Sequence, residues 1–218
     1  MELEHVAPED IEKRSLEIIT QELGSRVLDP ETAPVIKRAI HATADFDYAE
    51  ALSFSSNAVG IAVEALLRGA HIVTDTQMAL SGVNKRLLQA FGGEAHCFMS
   101  DAEVGETARQ RKVTRASICM ERAAELKEPL LLAIGNAPTA LVRLYELMQE
   151  GRIAPVLIIG APVGFVNVVE AKELIMSAGA PYIVARGRKG GSGVAAAITN
   201  ALLLMAQEKR KREEMHEG

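Results

Sequence analysis

The stretch Leu130 to Thr139, LLLAIGNAPT, decides the fold. Five apolar residues run into a Gly135-Asn136 bend, and Pro138 then opens a new helical pattern. An unbroken apolar run of this length fits a parallel strand buried on both faces, and proline is at home in the first turn of a helix. The same grammar returns in Pro155 to Phe165 (PVLIIGAPVGF) and in Pro181 to Ser192 (PYIVARGRKGGS). In an open α/β sheet such strand-to-helix junctions line one edge, and ligands bind there.

Working outward, strands are expected at 70–74, 95–99, 130–134, 155–159 and 181–185. Between and after them, helices are expected at Asn84 to Phe91, Glu106 to Leu126, Pro138 to Gln149, 166–178 and from about 191. Strands alternating with helices of this length call for a parallel sheet with right-handed crossovers. Before the first strand, Pro8 to Leu23, Pro30 to Ala42 and Ser55 to Leu67 read as helices. The expected fold is α/β: an open, mainly parallel five-stranded Rossmann-like sheet flanked by helices, with an N-terminal helical arm. One domain is expected over 1–218, helical over 1–68 and sheet-bearing over 70–218.

Composition narrows the function. The 218 residues are 48% hydrophobic, enough for a sizeable core, and the net charge of -5 provides no broad cationic field for a phosphate backbone. Nucleic acid is therefore not expected as a partner. Two cysteines, Cys97 and Cys119, stand far apart without a C-x-x-C pattern, so neither a disulfide framework nor a zinc site is expected. The first ten residues, MELEHVAPED, are acidic and polar where a signal peptide needs a basic start and an apolar core. No apolar run approaches the ~20 residues of a membrane span. A cytoplasmic setting is expected.

The densest chemistry lies in Arg186-Gly187-Arg188-Lys189-Gly190-Gly191-Ser192. Three cations, glycines that let a ligand approach the backbone, and a serine opening a helix make a site for carboxylate or phosphate. Gly191 to Ala196 formally satisfies G-x-G-x-x-A, but no strand ending in an acid follows, and no Walker A loop or nucleophile elbow occurs. His5, His41, His71, His96 and His216 never pair at metal-ligand spacing along the chain, so no protein-bound metal is expected. His41 ends a helix, where a histidine either complements the dipole or does chemistry, and Asp45 and Asp47 would raise its pKa if they approach it. Asp75, at the end of a strand, reads as a helix cap or a ligand contact.

Several motifs together resemble one family. Ile134-Gly135-Asn136-Ala137-Pro138-Thr139-Ala140-Leu141, Pro162-Val163-Gly164-Phe165-Val166 with Glu170-Ala171-Lys172-Glu173, and the Arg186 to Ser192 segment are similar to the precorrin-8X methylmutases of cobalamin biosynthesis. So are Ile11-Glu12-Lys13-Arg14-Ser15, His41-Ala42-Thr43-Ala44-Asp45-Phe46 and Thr114-Arg115. The resemblance implies an isomerase that moves a methyl group from C-11 to C-12 of a corrinoid. The substrate is precorrin-8X or its cobalt counterpart, and the His41 motif looks more like the cobalt-using members.

It also implies His41 as the catalytic acid and a homodimer with the cleft near the subunit boundary. The expected substrate contacts are Arg14, Ser15, Thr43, Arg115, Asn136, Arg186, Arg188, Lys189, Gly190, Gly191 and Ser192. Cations and helix starts suit the carboxylate fringe of such a macrocycle. No cofactor is expected, because the substrate rearranges internally. The alternative reading is a non-catalytic corrinoid carrier.

Overall fold

The computed structural model describes residues 4–217. Met1 to Leu3, the head of the acidic N-terminal segment, and Gly218 lie outside the described residues. A 3-10 turn at Pro8–Asp10 leads into α1 (Ile11–Leu23), followed by α2 (Ala33–Thr43) and the one-turn α3 (Tyr48–Ala51). Then come β1 (Leu52–Phe54), α4 (Ala58–Leu67), β2 (His71–Thr74), α5 (Gln77–Gly82), α6 (Lys85–Ala90) and β3 (Ala95–His96). The remainder comprises α7 (Ala102–Arg111), α8 (Arg115–Ala123), β4 (Leu130–Ile134), α9 (Pro138–Gln149), β5 (Leu157–Gly160), α10 (Val168–Met176), β6 (Tyr182–Ala185) and α11 (Ser192–Glu217).

The sheet has six strands, in the order β1-β6-β5-β4-β2-β3, and not five. The additional strand, β1, pairs antiparallel with β6 while every other pair is parallel, and it lies in the stretch read as purely helical. With three residues it offers no periodicity to read. Two further expectations are corrected. The 95–99 strand shrinks to Ala95–His96 before a 3-10 turn, and the long helix at 106–126 is two helices. The break falls at Lys112, in the left-handed conformation at φ 55°, and Thr114 caps the second helix by accepting the Ser117 N–H.

Side-chain alternation along each strand feeds two apolar layers. Ile72, Leu131, Ala133, Leu157, Ile159 and Ile183 face α2, α4 and α11, whereas Val73, Leu130, Leu132, Ile134, Ile158 and Val184 face α7, α8, α9 and α10. This double cover makes the central strands continuous in hydrophobicity. The carboxyl ends of β4, β5 and β6 come out side by side, as their parallel register requires. No described helix is long and apolar enough to cross a membrane.

Candidate functional site

At the carboxyl edge, the three junctions are knotted together. Asp75, fully buried at the end of β2, accepts the backbone N–H groups of Gly135, Asn136 and Ala137 at 2.8, 2.8 and 2.7 Å. Burial pushes its carboxyl pKa up, and those three N–H groups oppose the rise. Asp75 is thus neither helix cap nor ligand contact; Thr76 is the cap, accepting the Ala79 N–H at 3.0 Å. Thr76 Oγ1 also lies 2.7 Å from Ser192 Oγ, across from the start of α11.

The Gly191 N–H reaches the Ala161 carbonyl at 2.8 Å, joining the β6 junction to that of β5. A Cβ on Gly190 would sit 2.2 Å from the Ala161 carbonyl oxygen, so only glycine fits there. Asn136, Gly190, Gly191 and Ser192 are therefore gathered at one edge of the sheet. The amides of the Gly135 turn, however, are already used by Asp75.

The segment before this knot carries the cations. Arg186 pairs with Glu173 at 3.0 Å, Arg188 lies over the Phe165 ring at 5.6 Å, and Lys189 reaches Asp45 and Asp47 at 2.6 and 2.5 Å. Lys189 holds the Asp45 carboxyl below its ordinary range. Beneath the loop lies Lys172, fully buried, whose ammonium donates to the carbonyls of Gly187 and Lys189 at 2.8 and 2.9 Å. Burial lowers its pKa to about 8. Lys172 carries no motif of its own, but its phase with Val168, Ala171 and Ile175 places it on the buried side of α10.

Lys189 connects this loop to the His41 segment, because Asp45 and Asp47 follow α2 directly. His41 sits in the last turn of α2, and its Nδ1 lies 2.8 Å from Ser15 Oγ on α1. Among the described residues, Nε2 has no hydrogen-bond partner. A cavity of about 530 Å³ opens here, lined by Val6, Ile11, Arg14, Ser15, His41 and Phe46 among others. Arg14 pairs with Glu4 at 2.7 Å on its rim. The two aspartates serve Lys189 and make no hydrogen bond to the histidine.

Two expected contacts are placed differently. Thr43 Oγ1 donates to the Ala39 carbonyl at 2.8 Å and accepts the Asp45 N–H at 3.2 Å, so it closes α2, where Ala44 turns left-handed. Arg115 opens α8 on the far side of the β4 junction, its guanidinium 3.4 Å from where a Gly105 Cβ would be. Thr114, its neighbour, meets Thr139 at the start of α9 at 2.7 Å. No hydrogen bond among the described residues joins Arg115, Arg186 or Arg188 to His41.

Two histidines far apart in the chain meet across the sheet. His71 and His96, 25 residues apart, come within 3.0 Å because β2 and β3 are neighbours. Both cysteines are free, and burial pushes the Cys119 thiol up to about 12, out of reach of thiolate chemistry at neutral pH.

This geometry coincides with one family. The profile of precorrin-8X methylmutase matches residues 10–205. The chain belongs to the precorrin-8X methylmutase family. It is 44% identical to the cobalt-precorrin-8 methylmutase of Salmonella typhimurium, over 92% of this chain and 97% of that one. With the cobalt-precorrin-8 methylmutase of Priestia megaterium the identity is 41%, over 92% and 89%. The solved precorrin-8X methylmutase of Thermus thermophilus superposes with a TM-score of 0.84 at 40% identity, covering 92% of this chain and 98% of that one. The matched span contains the knotted sheet edge and, of the His41 cavity, everything but the Glu4 and Val6 side of its wall.

Proposed function

We propose that this methylmutase moves a methyl group from C-11 to C-12 of cobalt-precorrin-8 in the pathway to cobalamin. The observation that carries the reading is the Lys189 bridge, which sets the cation loop of the sheet edge against the segment bearing His41. A corrinoid offers a broad apolar face and a fringe of carboxylates. The cavity beside His41 offers Val6, Ile11 and Phe46 to the one and Arg14 to the other, and Lys189, outside its lining, adds a cation beside Asp45.

The reaction balances within one molecule. The bond from the methyl to C-11 breaks as the bond to C-12 forms, and no electron or group is exchanged with a second reactant. On that ground the proposal includes no cofactor, and any cobalt belongs to the substrate. His41 is the proposed proton donor or polarising group. Ser15 fixes its ring through Nδ1, leaving Nε2 toward ligand chemistry. Where cobalt already occupies the ring nitrogens, His41 acts by polarising the conjugated periphery. The curated relatives at 41–44% identity named for cobalt-precorrin-8 support the cobalt form over the metal-free one.

The active form is proposed to be a homodimer. Phe165 and Val166, 83% and 77% exposed beside the cation loop, form an apolar lip of the kind that a second copy covers. Sedimentation of Phe165→Glu should show a shift toward monomer; an unchanged mass would remove this surface from the interface.

Anaerobic incubation with cobalt-precorrin-8 and, separately, precorrin-8X tests the function, followed by absorption and by the methyl resonances. Faster conversion of the cobalt form is the expected result. Tight binding of intact substrate without a methyl shift would instead make the chain a corrinoid carrier.

A further inference from the structure

The edge of the sheet away from β1 carries a cluster that methyl transfer does not use. β2 and β3 pair with Ile72 beside Ala95 and Val73 beside His96, a register that sets His71 beside Glu94. Residues two apart on a strand share a face, so His71, Val73, Glu94 and His96 lie on one side of the sheet, the side packed by α7 and α8. His71 Nδ1 and His96 Nε2 are 3.0 Å apart, and with a Glu94 carboxylate oxygen they form three donor atoms within 4.8 Å of one another. The rings stack at 5.2 Å, and Phe98 stacks on His96 at 6.1 Å. Thr74 Oγ1 shares its one hydrogen between the Thr76 carbonyl at 3.1 Å and the His96 carbonyl at 3.3 Å. Glu94 is exposed and both histidines are half-buried, so the donors are ordered yet open to solvent.

We propose that His71, Glu94 and His96 bind one late first-row divalent cation, Zn²⁺ or Co²⁺, bridging β2 to the edge strand β3. In a tetrahedral shell two imidazole nitrogens at about 2.0–2.1 Å from a shared ion stand about 3.3–3.4 Å apart, so the pair, 3.0 Å apart, opens by only about 0.3–0.4 Å to hold one. Two histidines and one carboxylate make a donor set suited to zinc and its neighbours; magnesium and calcium prefer all-oxygen shells. Three protein ligands leave the remaining positions to water. Without the ion, two lone pairs cannot face each other at this distance, so one ring places its N–H between them. On binding, the two rings swing so that both lone pairs converge on the ion, and the displaced hydrogen moves to the far nitrogen of its own ring.

The site has a structural use, because β3 is two residues long and sits at the edge, where few ladder bonds hold it. A ligand bridge from His71 to Glu94 and His96 ties that edge to the sheet.

Tag-free protein, stripped with a chelator and titrated with Zn²⁺ alone by calorimetry, should take up one equivalent per chain. Co²⁺ loading should give a visible d–d absorption that Zn²⁺ displaces. Glu94→Gln, a change of an exposed side chain, should weaken Zn²⁺ binding at least about 10-fold, the loss expected from disturbing a ligand shell. His96→Gln should abolish the stoichiometric uptake while circular dichroism reports a folded chain; if that variant does not fold, Glu94→Gln carries the test. Uptake well below one equivalent in the unmutated protein, or unchanged uptake in folded Glu94→Gln, would overturn the assignment.

Discussion

The knot at the carboxyl ends of the strands and the cationic rim above it are built from opposite materials. In the knot, a buried carboxylate, three backbone N–H groups and close-approach glycines satisfy one another completely. At the rim, Arg14, Arg186 and Lys189 sit in exposed ion pairs with Glu4, Glu173, Asp45 and Asp47. Exposed pairs contribute about 0–1 kcal/mol each, so a substrate carboxylate can take the place of the protein's own at little cost. Buried groups have no such alternative. The knot therefore fixes geometry, and the rim keeps its cations exchangeable.

The largest effect separates chemistry from both. His41→Ala should lower turnover by about 10² to 10⁴ if His41 is a general acid, with product binding and thermal stability nearly unchanged because the ring is exposed. Near-normal turnover would remove His41 from the mechanism.

Next, Asp75→Ala leaves the buried Gly135 N–H and the part-buried N–H groups of Asn136 and Ala137 without an acceptor. Each such loss costs about 1–3 kcal/mol, so urea unfolding should show a loss of about 3 kcal/mol or more. A loss under about 1 kcal/mol would mean that the knot relaxes as freely as the rim.

Lys172 joins the two regions, and its replacement sharpens the contrast. Lys172→Met removes a buried ammonium for an apolar side chain of similar length, which such sites tolerate, but it releases the Gly187 and Lys189 carbonyls. KM should rise about tenfold while kcat holds, since positioning is lost without chemistry. Stability carries a pH signature as well. Unfolded lysine keeps its proton to about 10.4, whereas folded Lys172 releases it near about 8. Across that window the unfolded chain holds more protons, so stability should rise with pH in the unmutated protein. The rise should vanish in Lys172→Met.

The smallest expected effect on stability comes from the rim itself. Lys189→Ala should change unfolding free energy by no more than about 1 kcal/mol, yet weaken substrate binding in a salt-dependent way. A large stability loss would show that Lys189 is structural.

The parts of this architecture that were legible in the chain share a physical reason. β4, β5 and β6 are buried on both faces, and burial writes itself as unbroken apolar runs such as LLLAI. β1 is three residues long, with Ser53 at its centre, and carries no such mark. The 186–192 segment stood out by its cations and glycines and Arg14, Ser15 and His41 by family-like motifs, and Lys189 links that segment to the one following His41. The Asp75 clamp was not found, because a carboxylate that binds backbone some 60 residues away leaves no pattern at its partners. The His71–His96 pair escaped for the same reason: ligand spacing along the chain says nothing about rings on adjacent strands. Lys172 was legible in principle, from its phase on α10.

The long helix α11 sets the tempo of the site. Its residues Val194, Ala195, Ile198, Leu202 and Ala206 are buried against α2, α4 and α5, whereas the turns past Lys209 stand in solvent. Amides in the first stretch can exchange with deuterium only when the whole core opens, and those in the last turns exchange by fraying. Ser192 and the glycines before it hang from the slow end. The loop proposed to meet the substrate is thus anchored to the part of the molecule that opens last, which would keep its shape through many cycles of ligand arrival and departure.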